Sequence, residues 1–267
     1  MHLKFCAIGL CLLSVLARAQ NPRTGSTSTQ TPIKGIKIVS SSFDPLTSPQ
    51  KVQLDFINDS ASNITAWGFC VKAEKTRDND PSQGFCRLID VMPVVVDREV
   101  QERITREENP ADCPDCHFVH PGEQKILSYS FGFPVRSAKI EINLIAYSNG
   151  KVEISGPEGS PQLKAIISYR QQDLRQAQHL IDIGKKILAD STNPHPAVSM
   201  IDELQNRGKS EPFFADQLDD FKKPERRKGN YKEFLPEDEH GYLSKFVLEQ
   251  EMKAVEFAKY LIPEVSQ

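Results

Sequence analysis

Between residues 35 and 156 apolar side chains recur at every second position, in short bursts separated by turn residues. Val52-Gln53-Leu54-Asp55-Phe56 alternates apolar and polar, which in a strand sends one set to a buried face and the other to water. Ile36 to Val39 opens the series, and Asn58 to Asn63 is a turn cluster. Ile64 to Ala73 follows as a long strand with Trp67, Phe69 and Val71 on one face. Pro121-Gly122-Glu123 turns into Gln124 to Phe133, where Leu127, Tyr129, Phe131 and Phe133 share a side. Ala138 to Tyr147 places Ile140, Ile142 and Leu144 together. Ser148-Asn149-Gly150 then reverses the chain into Lys151 to Ser155, because Asn-Gly favours the tight turns of hairpins. The stretch from 75 to 118 is charged and irregular. Met92 to Val96 reads there as a strand, and Asp97 to Asn109 as a short helix or a charged loop. Strands of this length and spacing with no helix between them predict an antiparallel β-sandwich of about seven strands.

At Gly156 to Pro161 the period changes. Leu163, Ile167, Leu174, Ala177, Ile181 and Leu188 recur at helical steps, predicting an amphipathic helix over 163–190 that is about 40 Å long. Ser191 to Pro196 stops it. Ala197, Met200, Ile201 and Leu204 mark a second helix ended by Gly208. Phe213, Phe214, Leu218 and Phe221 mark a third, and Leu243 to Leu261 a fourth, stopped by Pro263. Residues 222–240, rich in charge with Pro and Gly, read as an exposed loop. A strand half followed by a helix half, without interleaving, is an α+β chain or two domains. The expected sandwich core is Phe56, Trp67, Phe69, Leu127, Phe131 and Ile142.

Three segments add to this: "LDFINDSASNITAW", "HPGEQKILSYSF", and "INLIAYSNGKVEISG" leading into "YRQQDLRQAQHLID". Their order resembles that of a group of uncharacterised exported bacterial proteins with an immunoglobulin-like β-sandwich and a helical tail. The likeness covers about half of the chain beyond its first twenty residues. It implies an N-terminal antiparallel immunoglobulin-like β-sandwich over 34–157 followed by a C-terminal α-helical region over 163–262. It implies no activity and no site residues.

The N-terminal residues set the compartment. Lys4, an apolar run from Phe5 to Leu16, and Ala17-Arg18-Ala19 have the three parts of a secretory signal peptide spanning 1–19. The apolar run is shorter than the ~20 residues needed to span a bilayer. Residues 20–33, rich in Ser, Thr and Pro, read as a disordered lead-in. The chain carries a formal net charge of −3, and loss of Lys4 and Arg18 with the leader makes it more negative. That balance argues against nucleic acid or an anionic membrane as partner. The expectation is a secreted or periplasmic protein that, once the leader is cleaved, has no membrane association and an unknown protein partner.

Export gives the cysteines a context. Cys6 and Cys11 leave with the leader, and Cys70, Cys86, Cys113 and Cys116 remain. An even number in an oxidising space reads as disulfides. Cys70 points away from the Trp67 face of its strand, and Cys86 is expected in the following loop. A bridge between them would stabilise by about 3 kcal/mol. Cys113 and Cys116 would then close a small ring in their own loop. Pairing of Cys86 with Cys113 or Cys116 stays open.

Cys113-Pro114-Asp115-Cys116-His117 also fits c-type haem attachment, with two thioether thiols and His117 as axial ligand. Met92, His120 or Met200 could supply the second axial ligand, and nothing singles one out. A small electron-transfer protein is therefore the alternative function. A redox pair would need the first thiolate at a helix start, and Phe-Val-His-Pro-Gly cannot supply one. A zinc site would use Cys70 with Cys86 as one half, at a spacing unlike a knuckle. Asp78, Asp80 and Ser82 alternate oxygen ligands as calcium loops do, but Ile89 stands where the loop's closing Glu belongs. Asn58-Asp59-Ser60 and Asn63-Ile64-Thr65 are glycosylation sequons. Gly208-Lys209-Ser210 lacks the earlier glycine of a phosphate loop, and no hydrolase signature is present. The sequence thus predicts no catalytic residue and no cofactor. It predicts a non-enzymatic interaction or structural protein, with helices that could also self-associate.

Overall fold

Alternation in the first half produces the strands it predicts. A computed structural model describes residues 33–75, 83–105, 117–222 and 238–263. Strands β1 (Ile36–Asp44), β2 (Gln50–Asn58) and β5 (Gln124–Phe131) form one sheet in that order. Strands β4 (Gln83–Asp90), β3 (Ile64–Lys75), β6 (Val135–Tyr147) and β7 (Val152–Ile154) form the other. The pairings β1–β2, β2–β5, β3–β6 and β6–β7 are antiparallel. Val52, Leu54 and Phe56 are buried, while the residues between them are half-buried. Helices α2 (Gly159–Ala189), α3 (Pro196–Gly208), α4 (Pro212–Lys222) and α5 (Glu239–Lys259) follow, so the chain is α+β with most helices C-terminal.

Three expectations change. The apolar run at 92–96 is not a strand but the start of helix α1 (Met92–Thr105). Asp90 Oδ1 accepts the Met92 N–H at 3.1 Å, and Pro93 sits in the first turn, where its missing N–H costs nothing. Helical winding then brings Val95, Val96 and Val100 to one buried face, and α1 packs against α5. Cys86 lies on strand β4 rather than in a loop. Ile140, Ile142 and Leu144 do not share a face. Phe69 pairs with Ile142 but Gly68 with Leu144, so Asn143 is an extra residue and everything after it swaps sides. The Asn143 carbonyl accepts Ser155 N–H at 2.8 Å, and its Nδ2 donates to the Ser155 carbonyl at 3.2 Å. Ile142 is only half-buried, whereas Phe56, Trp67, Phe69, Leu127 and Phe131 are core residues as expected.

The chain divides into two compact units, each described by itself. The strand unit holds the chain to Ile89, Val119–Tyr147 and Val152–Leu163. In it β2 and β6 approach each other from the two sheets. Every residue of β3 from Ile64 to Val71 is buried, because β3 is flanked on both edges and its Gly68 lies against Gln162 in the first turns of α2. A Cβ on Gly68 would stand 2.3 Å from Gln162 Oε1, and Gln162 Nε2 donates to the Arg87 carbonyl at 3.2 Å. The helical unit holds Asp90–Phe118, Ser148–Lys151 and the chain from Lys164. Its apolar core joins Leu180, Met200, Ile201, Leu204, Phe214, Phe221, Leu243 and Phe246. Helix α1, although it interrupts the strand sequence, belongs to this unit.

Candidate functional site

The cysteine chemistry resolves in part. Cys70 and Cys86 lie on neighbouring strands with their sulfurs 1.99 Å apart, a disulfide between β3 and β4. Cys113 and Cys116 lie outside the described residues, as do Asp78, Asp80 and Ser82. His117 is described and half-buried. The residues nominated as a second haem ligand lie in different surroundings. Met92 is fully buried on α1, Met200 is in the helical core, and His120 Nδ1 is 3.1 Å from Asn63 Oδ1. Among the described residues no group of three or more His, Cys, Asp or Glu could hold a metal ion. Asn58 is buried, and its Nδ2 donates to the carbonyls of Ser62 and Val119, so in the folded chain this sequon presents no accessible amide.

Two places remain where side chains gather with chemical consequence. The first is in the strand unit, at the end carrying the β1–β2 turn and the turn between β5 and β6. Antiparallel register aligns Phe43, Val52 and Tyr129 across β1, β2 and β5. Tyr129 stacks against Phe85 of β4 at 4.4 Å between ring centres and against Phe131 at 5.0 Å. Phe131 meets Phe43 and Phe133 edge-on. Only Phe131 of these five is buried. Phe43, Phe85 and Tyr129 are half-buried, and Phe133 is exposed. Leu46, at the tip of the β1–β2 turn, is 94% exposed. Beside the same turn, Ser42, Asp44, Thr47, Pro49, Lys51, Gln53 and Ser130 line an open depression of about 390 Å³. Aromatic rings with one edge in solvent are the common anchors of protein interfaces.

The second lies in the helical unit, where α1, α2 and α5 share charges. Arg170 on α2 is fully buried. Its Nε and Nη2 donate to the two carboxylate oxygens of Asp90 at 2.8 and 3.0 Å, and its Nη1 donates to the Tyr260 carbonyl at 2.8 Å. On α5, Lys253 Nζ lies 3.0 Å from both Asp97 and Glu249. Burial opposes its charge, but these two carboxylates more than compensate and push its pKa up to about 12. Glu256 takes Arg103 and Lys259 at 2.7 Å each. Although burial works against the Glu256 charge, those cations hold its pKa below the usual carboxylate value. Asp173 differs from these carboxylates. No hydrogen bond or ion pair reaches it among the described residues. Burial first, then the nearby charges of Asp90 and Asp97, raise its pKa to about 7, with Arg170 acting in the opposite direction.

Sequence reasoning missed both places. Phe43 and Phe85 sit in segments whose polar neighbours hide the alternation. On α2 the buried stripe runs through Ile166, Arg170, Ala177, Leu180 and Gly184; of the predicted stripe Ala177 is buried, while Leu163, Ile167, Leu174, Ile181 and Leu188 are half-buried. The signal was available. Arg170 and Asp173 fall at three- and four-residue steps between Ile166 and Ala177, on a face that is otherwise apolar.

No family model and no curated protein matches the sequence. A solved hypothetical protein from Peptoclostridium difficile 630 is similar over 51% of this chain and 92% of its own, at 8% identity and a TM-score of 0.29.

Proposed function

We propose that the chain is an exported, non-enzymatic interaction protein whose strand unit is an immunoglobulin-like sandwich that binds a protein partner through its aromatic end. The observation that carries this reading is the solvent-edged set Phe43, Phe85, Tyr129 and Phe133 beside the exposed Leu46. Partly exposed rings gathered at one end, beside an exposed leucine, are the kind of apolar patch that marks a protein-binding surface. The strand orders β1-β2-β5 and β4-β3-β6-β7 suit an immunoglobulin-type pair of sheets. Export is supported by the signal-peptide pattern at 1–19 and by the Cys70–Cys86 disulfide, a bond typical of oxidising compartments. No helix among the described residues is long and apolar enough to cross a membrane.

The test places a photo-cross-linking amino acid at position 46 of the full chain in the cells that produce it. Discrete adducts at 46 are expected, lost when Phe133→Ser and Phe43→Ser are added, and absent when the cross-linker sits at 179 on the exposed side of α2. Equal yields at both positions, or none at either, would overturn the reading. Intact-mass analysis with and without reductant separates the electron-transfer alternative. Two disulfides give a deficit of about four hydrogens, whereas a mass gain of haem size would replace this reading.

A further inference from the structure

The strand unit is one strand short along part of an edge. Strand β6 pairs with β3 from Val135 to Tyr147, whereas β7 covers only Leu144 to Ala146 on its other edge. The Ser155 N–H adds one bond to the Asn143 carbonyl at 2.8 Å, and the chain then leaves for α2. Among the described residues no strand pairs with residues 137–142 on that side. Side chains on two strands register the gap. On β6, Ala138, Ile140 and Ile142 lie opposite Ala73, Val71 and Phe69, so they face the interior, yet Ala138 and Ile142 are only half-buried. Strand β1 of the other sheet runs in contact with β6, and Glu153 of β7 accepts the N–H groups of Lys34 and Gly35 just before it, at 2.6 and 3.1 Å. Ile38 and Ser41 of β1 lie opposite the buried Phe56 and Leu54 and so face inward, but Ile38 is 48% exposed and Ser41 is exposed. These inward positions meet water because β7 stops short of them. A bulge at Val39 breaks the regularity of β1, whereas the register of residues 137–142 with β3 is unbroken. The β6 edge is therefore the better template for another strand.

We propose that residues 137–142 of β6 receive an extended segment of a partner protein as an added strand in line with β7. Main-chain pairing supplies the affinity, and the two alternating faces of the segment supply the specificity. Its inward residues are apolar, since they enter beside Ala138, Ile142 and Ile38. Its outward residues lie beside Ser137, Lys139 and Glu141. Glu141 is already met by Lys72 and Lys139, each at 2.6 Å, while the Lys139 side chain stays 62% exposed. The charge that complements this edge is therefore an acidic residue facing Lys139. Residues 20–32, which precede β1, hold no Val, Leu, Ile, aromatic or acidic residue, so the segment that fits belongs to another protein. The edge lies across the sandwich from Phe85 of β4 and Tyr129 of β5, and the inference does not rest on the aromatic end.

The experiment uses the full chain and a probe peptide in which valine alternates with threonine around one central glutamate. In the free chain, amide hydrogen exchange is expected to be fast at alternate positions of 137–142, on the open edge, and slow at those bonded to β3. Saturating peptide should slow the fast set by about tenfold or more, and a peptide of the same composition with its valines in one block should not. Lys139→Glu should weaken binding of the glutamate peptide by about tenfold, and a peptide with lysine in place of that glutamate should restore it. Full protection of 137–142 in the free chain would overturn the proposal, and that readout needs no variant. So would a peptide that does not bind, or one whose protection falls outside this edge. Protection that grows with protein concentration in the absence of peptide would overturn it too, by assigning the edge to a second copy of the chain.

Discussion

Arg170 shows what one residue can determine. A guanidinium with no exposure is tolerable because it is paired: Asp90 accepts two of its N–H groups and the Tyr260 carbonyl accepts another. Arg170→Met keeps much of the volume but leaves the Asp90 carboxylate without its two charge-assisted hydrogen bonds. The expected loss is about 3–5 kcal/mol, read from the urea midpoint of the full chain. Adding Asp90→Asn keeps an acceptor for the Met92 N–H while removing the stranded charge, so it should recover part of that loss. A residue-scale prediction in the strand unit concerns Cys70 and Cys86, 16 positions apart. Replacing both by Ser releases a loop of that size in the unfolded chain and is expected to cost about 3 kcal/mol. An unchanged midpoint in the oxidised protein would mean that the bond adds nothing to the pairing of β3 with β4. The residues in these pairs were legible as types, since four cysteines and a charge within an apolar stripe both stand out in the sequence. Which carboxylate meets which cation was not legible, because Asp90 and Arg170 are brought together by chain geometry rather than by spacing.

Elements follow the same division between local rule and tertiary choice. Strands with strict alternation, such as β2, and helices with stop signals, such as α3 between Pro196 and Gly208, form where the pattern puts them. The misread elements are those where the pattern was ambiguous. The Val94-Val95-Val96 run suits a strand by propensity, and only the Asp90 acceptor, Pro93 and the packing against α5 decide for a helix. The change of face in β6 is a single inserted residue, Asn143, which no periodicity reveals. Helix α5 is capped by Asp238, whose Oδ1 accepts the Gly241 N–H at 2.8 Å, and the carboxylate of its first residue, Glu239, accepts the Ala197 N–H at the start of α3. Further along, α5 meets α2 closely at Gly184, where an added Cβ would stand 2.3 Å from Val247 Cγ2. Gly184→Ala should therefore destabilise the helical unit by about 1–3 kcal/mol through overpacking, outweighing the roughly 1 kcal/mol that alanine gains over glycine in a helix. Val247→Ala in the same chain makes room for the methyl group, so the double variant should lose less than the two singles combined. Thermal unfolding of the four chains closes that cycle.

At the scale of the molecule, chain order and structural unit do not coincide. From the alternation alone, residues 34–157 look like a self-sufficient sandwich, yet they contain α1, which belongs to the helical unit, contacts α5 and carries the buried Val95, Val96 and Val100. A chain ending at Pro157 would keep that helix and remove α5, the helix it packs against, so that part of its buried apolar face would be uncovered. Each buried valine side chain exposed in this way costs about 1.5 kcal/mol or more, and a contiguous patch of them promotes association. Such a chain is expected to elute as aggregates and to bind a hydrophobic dye. Replacing residues 91–118 in it with a Gly-Ser linker of about ten residues removes the orphaned helix and should restore a monomer with dispersed amide resonances. If the first chain were already monomeric and dispersed, the membership of α1 in the helical unit would be wrong. The second half of the protein would then be separable by a single cut.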